Sequence, residues 1–389
     1  MATTSTIHAR SIGGPTLTPA KVLESLDQSI EIAKANGDLH MYESHVAEVV
    51  EHEIKYQVRV CPALQKKEEG RASPASVVPE PHGVSKVVNT IINHDPFLPP
   101  FTSLLIGELK DALEEDQEGY YVLLNKFAVV HGHFLLVTKI YQSQSQPLTP
   151  SQLVHTYLLL FAAQAKRQPY FAFFNCGELS GASQPHKHIQ FIPGEAPIEA
   201  LARGAHVENE SRAFVISKLP FSAHIKRLDR SVISRMASSF ENLDLDNLDR
   251  LGAELSMAFM ALLDEMYHTI RVRAEHERER DAQTGTSSSG SQASSAPSYN
   301  VVMTLEHIYL FPRSAEKFIQ HGGEEVPQTF ELTLSINSLG YAGMLLVKSD
   351  EELEKVRQIG IGRMLGQVGM EPLRQEDDKG CDDVFADLA

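Results

Sequence analysis

Residues 175–190 read NCGELSGASQPHKHIQ. The run YFAFFN before them and the run HKHIQFIP at their end are both short, apolar and β-rich, and Pro193 closes the second. Two strands joined by a loop of small residues are therefore expected here. Successive side chains of a strand point to opposite faces, so His186, His188 and Gln190 share one face while Lys187, Ile189 and Phe191 share the other. A purely structural strand rarely spends one face on His, His and Gln, because each would demand a hydrogen-bond partner once buried. Three readings fit: a solvated strand face, two ligands of a zinc site, or a histidine that attacks phosphorus.

Zinc needs one or two further ligands, and none of the 17 histidines stands at metal spacing from this pair. Gln190 is also a poor zinc ligand, so no protein-built metal site is expected. The preceding loop favours phosphate. Gly177, Gly181 and Ala182 let backbone N–H groups approach an anion closely, and Asn175 and Ser183 add side-chain donors. A neutral donor cradle beside a histidine suits phosphoryl chemistry, where positioning and charge stabilisation carry most of the catalysis.

Outward from this stretch, hairpin signals outnumber any regular alternation of strand and helix. YYVLLNKFAVVHGHFLLVTK at 120–139 reads as two strands flanking HGH, with Gly132 in the turn. HEIKYQVRVCPAL alternates Ile54, Tyr56, Val58 and Val60 as a half-buried strand. Helices open at Thr18-Pro19 and Thr149-Pro150, and a third spans 244–273 with Leu255, Phe259, Leu262 and Met266 on one stripe. The fold class expected is α+β, an antiparallel sheet flanked by helices. Residues 1–16 read as a disordered leader, 17–370 as one catalytic domain and 371–389 as an acidic tail. Within the domain, 63–85 reads as a mobile loop, and the low-complexity run 274–298 as a disordered insert.

The 389 residues carry a formal charge of −16 and no apolar run near the roughly 20 residues of a membrane helix. That balance argues against nucleic acid as a partner, because phosphate affinity along a polymer needs clustered Lys and Arg. It leaves room for a small phosphorylated ligand. The three cysteines form no paired framework, so free thiols in a reducing, cytoplasmic or nuclear compartment are expected. Lys66 and Lys67, in the loop, read either as a solvated pair or as cations within reach of a polyphosphate.

The spacing N-x-G-x-x-x-G-x-S-x-x-H-x-H-x-Q resembles the histidine-triad superfamily, whose transferase branches carry Gln at the third position. LLNKFAVVHGHFLLVTKIYQSQSQPLTPSQL, SGASQPHKHIQFIP, KLPF, YNVVMT, PRS and INSLGYAGMLLVKS resemble fungal diadenosine tetraphosphate phosphorylases, also called ATP adenylyltransferases. The likeness spans roughly 40–365. Two departures stand out: Gly132 replaces an acidic residue before a histidine, and His307 replaces the family's tryptophan in a chain with no Trp.

This resemblance implies a HIT-like fold and a double displacement. His188 would be the nucleophile, His186 would orient it from behind, and Gln190 would hydrogen-bond the phosphate of an adenylyl-histidine. Asn175, Gly181, Ala182 and Ser183 would line the phosphate cradle. Phe97, Leu98 and Asn125 would contact a nucleoside. Lys67, with Lys66, Lys139, Lys187 and Arg313, would meet the polyphosphate charge. Diadenosine tetraphosphate and inorganic phosphate would give ATP and ADP, and adenosine phosphosulfate could replace the dinucleotide. No covalently bound cofactor is implied. Mg2+ would travel with the nucleotide, and the protein is expected as a monomer. The rivals are a dinucleoside polyphosphate hydrolase, a hexose-phosphate uridylyltransferase and a non-catalytic dinucleotide sensor.

Overall fold

Thr18 caps the first helix as its sequence predicts: its side chain accepts from the Lys21 amide, Pro19 takes the first helical position, and Val22, Leu26, Ile30 and Ala33 are buried. The computed structural model describes residues 13–63, 95–114, 118–229, 231, 245–284, 296–320 and 331–373. Among these residues the helices are α1 (Pro19–Ala35), α2 (Pro150–Ala165), α3 (Glu199–Gly204), α4 (Leu245–Thr284), α5 (Ser338–Ala342), α6 (Asp350–Ile359) and α7 (Ile361–Val368). The strands are β1 (His40–Met41), β2 (His45–Glu51), β3 (Ile54–Val60), β4 (Leu105–Leu109), β5 (Tyr120–Leu124), β6 (Phe127–Ala128), β7 (Phe134–Thr138) and β8 (Tyr170–Cys176). They continue as β9 (His188–Pro193), β10 (His224–Arg227), β11 (Tyr299–Met303), β12 (His307–Pro312), β13 (Lys317–Gln320), β14 (Leu332–Ser335) and β15 (Met344–Val347).

The central sheet runs β10-β12-β11-β8-β9-β7-β5-β4, and every neighbouring pair is antiparallel. The expected α+β architecture is therefore the one observed. Helices α1, α2 and α4 cover one face around Phe134, Tyr157, Phe174, Phe191 and Phe259. The other face packs Phe171, Phe173, Tyr309 and Phe311 against a smaller sheet, β15-β3-β2, and against α5 to α7. Side chains along β8 enter the two cores alternately, as strand geometry requires, with Phe171 and Phe173 on one side and Ala172, Phe174 and Cys176 on the other. Gln190 pairs with Phe173, so the His186–His188–Gln190 face lies on the side of the smaller sheet.

Three sequence expectations need correction. The 120–139 hairpin forms, but its strands end at Leu124 and restart at Phe134, so the connection is longer than an HGH turn. Phe127–Ala128 leave the hairpin to pair with β1 instead. Helix α4 runs on to Thr284, across the first part of the insert expected at 274–298. EHERERD is rich in Glu and Arg, good helix formers whose opposite charges meet at helical spacing, and this outweighs its polarity. Residues 13–16 of the expected leader lie along the sheet edge, where Glu108 N–H donates to Pro15 O at 2.9 Å and Thr16 bridges Glu108. Residues 1–12, most of the loop at 63–85 and nearly all of the acidic tail lie outside the described residues.

Candidate active site

His188 opens β9 with its ring buried on the sheet face and its two nitrogens made unequal. Nδ1 lies 2.8 Å from the His186 carbonyl oxygen, which can only accept, so Nδ1 carries the proton and Nε2 keeps its lone pair. The Gln144 side chain fixes the backbone at this point. Its Oε1 accepts from the His188 amide at 2.8 Å, and its Nε2 donates to Asn175 O at 2.8 Å. Gln144 thereby ties the start of β9 to the end of β8. Burial pushes the His188 ring down to about 4, and the His186 charge beside it acts in the same direction. The result is a pre-oriented imidazole, neutral at neutral pH, with the lone pair on Nε2.

Gln190, two residues on, is oriented by a chain of donors whose direction is set at one end by a backbone amide. Phe127 N–H donates to Asn125 Oδ1 at 3.1 Å, which turns the Asn125 NH2 toward His133. That nitrogen lies 3.3 Å from His133 Nδ1 and 3.2 Å from Nε2, while Nε2 lies 3.1 Å from Gln190 Oε1. Gln190 Oε1 can only accept, so Nε2–H donates to it and the Asn125 NH2 donates to Nδ1; its approach to Nε2 is then donor to donor and no hydrogen bond. The Gln190 oxygen is then taken, and its NH2 is the end left for a ligand. Burial keeps His133 neutral and pushes it down to about 4, as this arrangement needs. His133 was not singled out from sequence, although its alternation with His131 around Gly132 was visible. Asn125, expected at a nucleoside, hydrogen-bonds the His133 ring.

His186 sits behind His188 and is fully buried. Its Nδ1 lies 2.7 Å from Asp95 Oδ2, and its Nε2 lies 2.8 Å from Thr138 O and 3.0 Å from Thr138 Oγ1. Both ring nitrogens are committed to protein acceptors. Any zinc bound by H-x-H would have to displace one of these His186 contacts. Asp95 stands just ahead of Phe97, whose ring covers His188 at 5.1 Å and His186 at 6.0 Å between centroids. Phe97 is buried with Phe101, Leu135 and Val137, and Leu98 next to it is half-buried.

The small-residue loop turns as its composition predicts. Gly177 (φ 87°) and Gly181 (φ 76°) flank one 3-10 turn, Glu178–Ser180, in backbone conformations that side chains disfavour. A Cβ on Gly181 would lie 2.7 Å from Ile336 O. Asn175 Oδ1 accepts from Asn300 Nδ2 (2.9 Å), Ser338 N (3.0 Å) and Ser338 Oγ (2.7 Å). Its NH2 is therefore the donor end that remains. Ser183 is exposed and Ala182 half-buried on the segment between the turn and His186.

The predicted cations are dispersed. Arg313 is buried and hydrogen-bonds Asn300 Oδ1 (2.6 Å), Ile336 O (2.7 Å) and Ala315 O (2.6 Å), so it holds the loop from behind through Asn300. Lys187 points away from His188 and donates to Pro147 O at 2.8 Å. Burial lowers it to about 8. Lys139 pairs with Glu108 at 2.5 Å. Lys66 and Lys67 lie outside the described residues. His307, in the place of the family's tryptophan, is buried three strands along the sheet from β9. There it serves Glu199, which also accepts from Tyr309 and Thr304. Its ligand atoms gather with Glu199 and Glu306, but Arg203 already neutralises Glu306 at 2.6 Å.

Comparison with known proteins adds an independent finding. Residues 13–203 match the Ap4A phosphorylase N-terminal domain, and 217–371 match the ATP adenylyltransferase C-terminal domain. Diadenosine 5',5'''-P1,P4-tetraphosphate phosphorylase 2 of Saccharomyces cerevisiae is 30% identical over 274 residues, covering 68% of this chain and 72% of the relative. Protein APA1 of the same yeast is 26% identical over 350 residues, covering 87% and 91%. The crystal structure of yeast Ap4A phosphorylase Apa2 superposes with a TM-score of 0.62 at 25% identity, covering 91% of this chain and 96% of that one. The complex of Apa2 with Ap4A superposes with a TM-score of 0.61 at 24% identity, covering 92% and 100%, and shares the fold.

Proposed function

The chain belongs to the Ap4A phosphorylase family of ATP adenylyltransferases, and we propose that it works through an adenylyl group carried on His188 Nε2. It is a nucleotidyltransferase that cleaves diadenosine tetraphosphate by phosphorolysis, yielding ATP and ADP. The covalent route rests on one observation above the rest: the His186 carbonyl takes the Nδ1 proton and leaves Nε2 as the lone pair on a buried, neutral ring.

In the first step Nε2 attacks one α-phosphorus, a P–N bond forms and the P–O bond to the leaving triphosphate breaks, releasing ATP. The ring becomes cationic, and its Nδ1–H stays on the His186 carbonyl. The Gln190 NH2, held by His133, and the Asn175 NH2 are the neutral donors for the phosphoryl oxygens. In the second step an oxygen of inorganic phosphate attacks the same phosphorus, the P–N bond breaks, and ADP leaves with His188 neutral again. Glutamine can bond a phosphoryl oxygen but cannot protonate a leaving group, which suits polyphosphate and phosphate better than it suits a poor leaving group. The same adenylyl group drawn from adenosine phosphosulfate would give ADP by the second step.

Magnesium enters as part of the substrate. Asp95, the carboxylate that reaches the cluster, is committed to His186 and to the Phe97 amide, so the described residues around His188 offer no cage of oxygen ligands. Product analysis tests the reading. Purified protein with diadenosine tetraphosphate and Mg2+ should form ATP and ADP only when phosphate is added, and His188→Ala should form neither. ATP and AMP formed without phosphate would indicate a hydrolase instead.

A further inference from the structure

We propose that Asp95 is a positioning residue for this reaction, holding His186 as a buried imidazolium that braces the nucleophile. The inference builds on the proposed role of His188, but the protonation of His186 stands on its own geometry. Thr138 O, at 2.8 Å from Nε2, can only accept, so Nε2 carries a proton. At the other end Asp95 Oδ2 lies 2.7 Å from Nδ1. Asp95 Oδ1 accepts the Phe97 amide at 2.9 Å, which fixes the carboxylate in place. An ionised Asp95 is an acceptor, so Nδ1 carries a proton as well. A neutral ring would leave one nitrogen lone pair facing an acceptor, without water to relieve it, because the two side chains are 0% and 3% exposed.

The surroundings agree. Aromatic rings flank His186, Tyr141 at 5.3 Å and Phe97 at 6.0 Å between centroids, and such rings favour a cation over a neutral partner. The ammonium of Lys139, on the adjoining segment, is turned to Glu108 and does not compete. The titratable groups facing the ring are thus Asp95, Tyr141 and His188.

The consequence reaches the nucleophile by two paths. A ring pinned at both ends fixes the backbone of its own residue, and it is the His186 carbonyl that holds His188 Nδ1–H. The imidazolium also disfavours a second positive charge on His188, which keeps Nε2 unprotonated. Asp95 reaches His186 from the segment that carries Phe97. The segment covering the nucleophile and the clamp behind it are therefore one piece of chain.

Nuclear magnetic resonance of protein labelled with 15N-histidine tests this directly. Between pH 6 and 8 the wild-type His186 signal, assigned by its loss in His186→Gln, should show protons on both ring nitrogens. In Asp95→Asn, which keeps the shape and removes the charge, only one should remain. In the same variant kcat for phosphorolysis of diadenosine tetraphosphate should fall about 10- to 100-fold, with KM changed far less. The kcat–pH profile should also move, since His188 then titrates beside a neutral ring. An unprotonated nitrogen on His186 in the wild type would overturn the proposal, as would an Asp95→Asn enzyme with wild-type kcat. Should Asp95→Asn fail to fold, the wild-type spectrum still decides. Should the wild type form no ATP and ADP, the reading of the activity fails while the spectrum still judges the clamp.

Discussion

The His133 ring nitrogen Nε2 lies 3.1 Å from Gln190 Oε1, and this contact decides which end of the glutamine amide stays free for a ligand. An amide free to flip would present its oxygen to an anion half the time. Replacing His133 by Phe keeps a buried ring but removes the donor. We expect kcat to fall about tenfold, the equivalent of one hydrogen bond of about 1.4 kcal/mol, with the fold intact by circular dichroism.

Four buried rings, His133, His155, His188 and His224, are pushed down to about 4 mainly by burial. For catalysis, His188 should stay neutral well below the usual histidine range, so log kcat should be flat from pH 8 to about 5 and fall with unit slope near pH 4. An ordinary histidine would begin that fall near pH 6.5.

Stability follows the same groups. Each folded-state value lies below the unfolded value, so between about 4 and 6.5 the unfolded chain binds more protons. The contribution is fully present above pH 6.5 and is lost as pH falls toward 4, by about 1–3 kcal/mol per ring. Urea midpoints measured from pH 7 to pH 4 should fall steadily over this window.

Gly181 adopts φ 76°, and a Cβ there would lie 2.7 Å from Ile336 O. Gly181→Ala should therefore lower stability by about 1–3 kcal/mol and shift the donor loop. Calorimetry and kcat/KM should fall together, whereas a surface alanine at Gly204, where a Cβ would meet nothing within 4 Å, should change neither.

Arg313 donates to backbone and amide oxygens and is 3% exposed. Arg313→Met would leave these acceptors unpaired and cost about 2–4 kcal/mol. KM for diadenosine tetraphosphate at low temperature should change little, which separates a residue that supports the loop from one that grips phosphate.

Much of the site was legible because its signal is local. H-x-H-x-Q on one strand face, two glycines at a turn and Asn175 ahead of them all lie within 16 residues, and strand periodicity places their side chains. The long-range partners were not legible. Asp95 meets His186 across 91 residues, and Gln144 meets His188 across 44, through pairings that no periodicity encodes. Arg313 was misassigned because charge alone suggests phosphate, while its burial among carbonyl groups emerges only once the sheet assembles. The extension of α4 was hidden for a different reason: EHERERD looks unstructured by hydropathy, yet its residues favour helix.

Rapid-quench mass spectrometry tests most directly whether His188 carries the adenylyl group. Protein mixed with diadenosine tetraphosphate and Mg2+ without phosphate should gain the mass of one adenylyl group on the peptide containing His188. Added phosphate should discharge it as ADP at a rate no slower than kcat. An adduct on another residue, or turnover to ATP and ADP with no adduct at any quench time, would contradict the account.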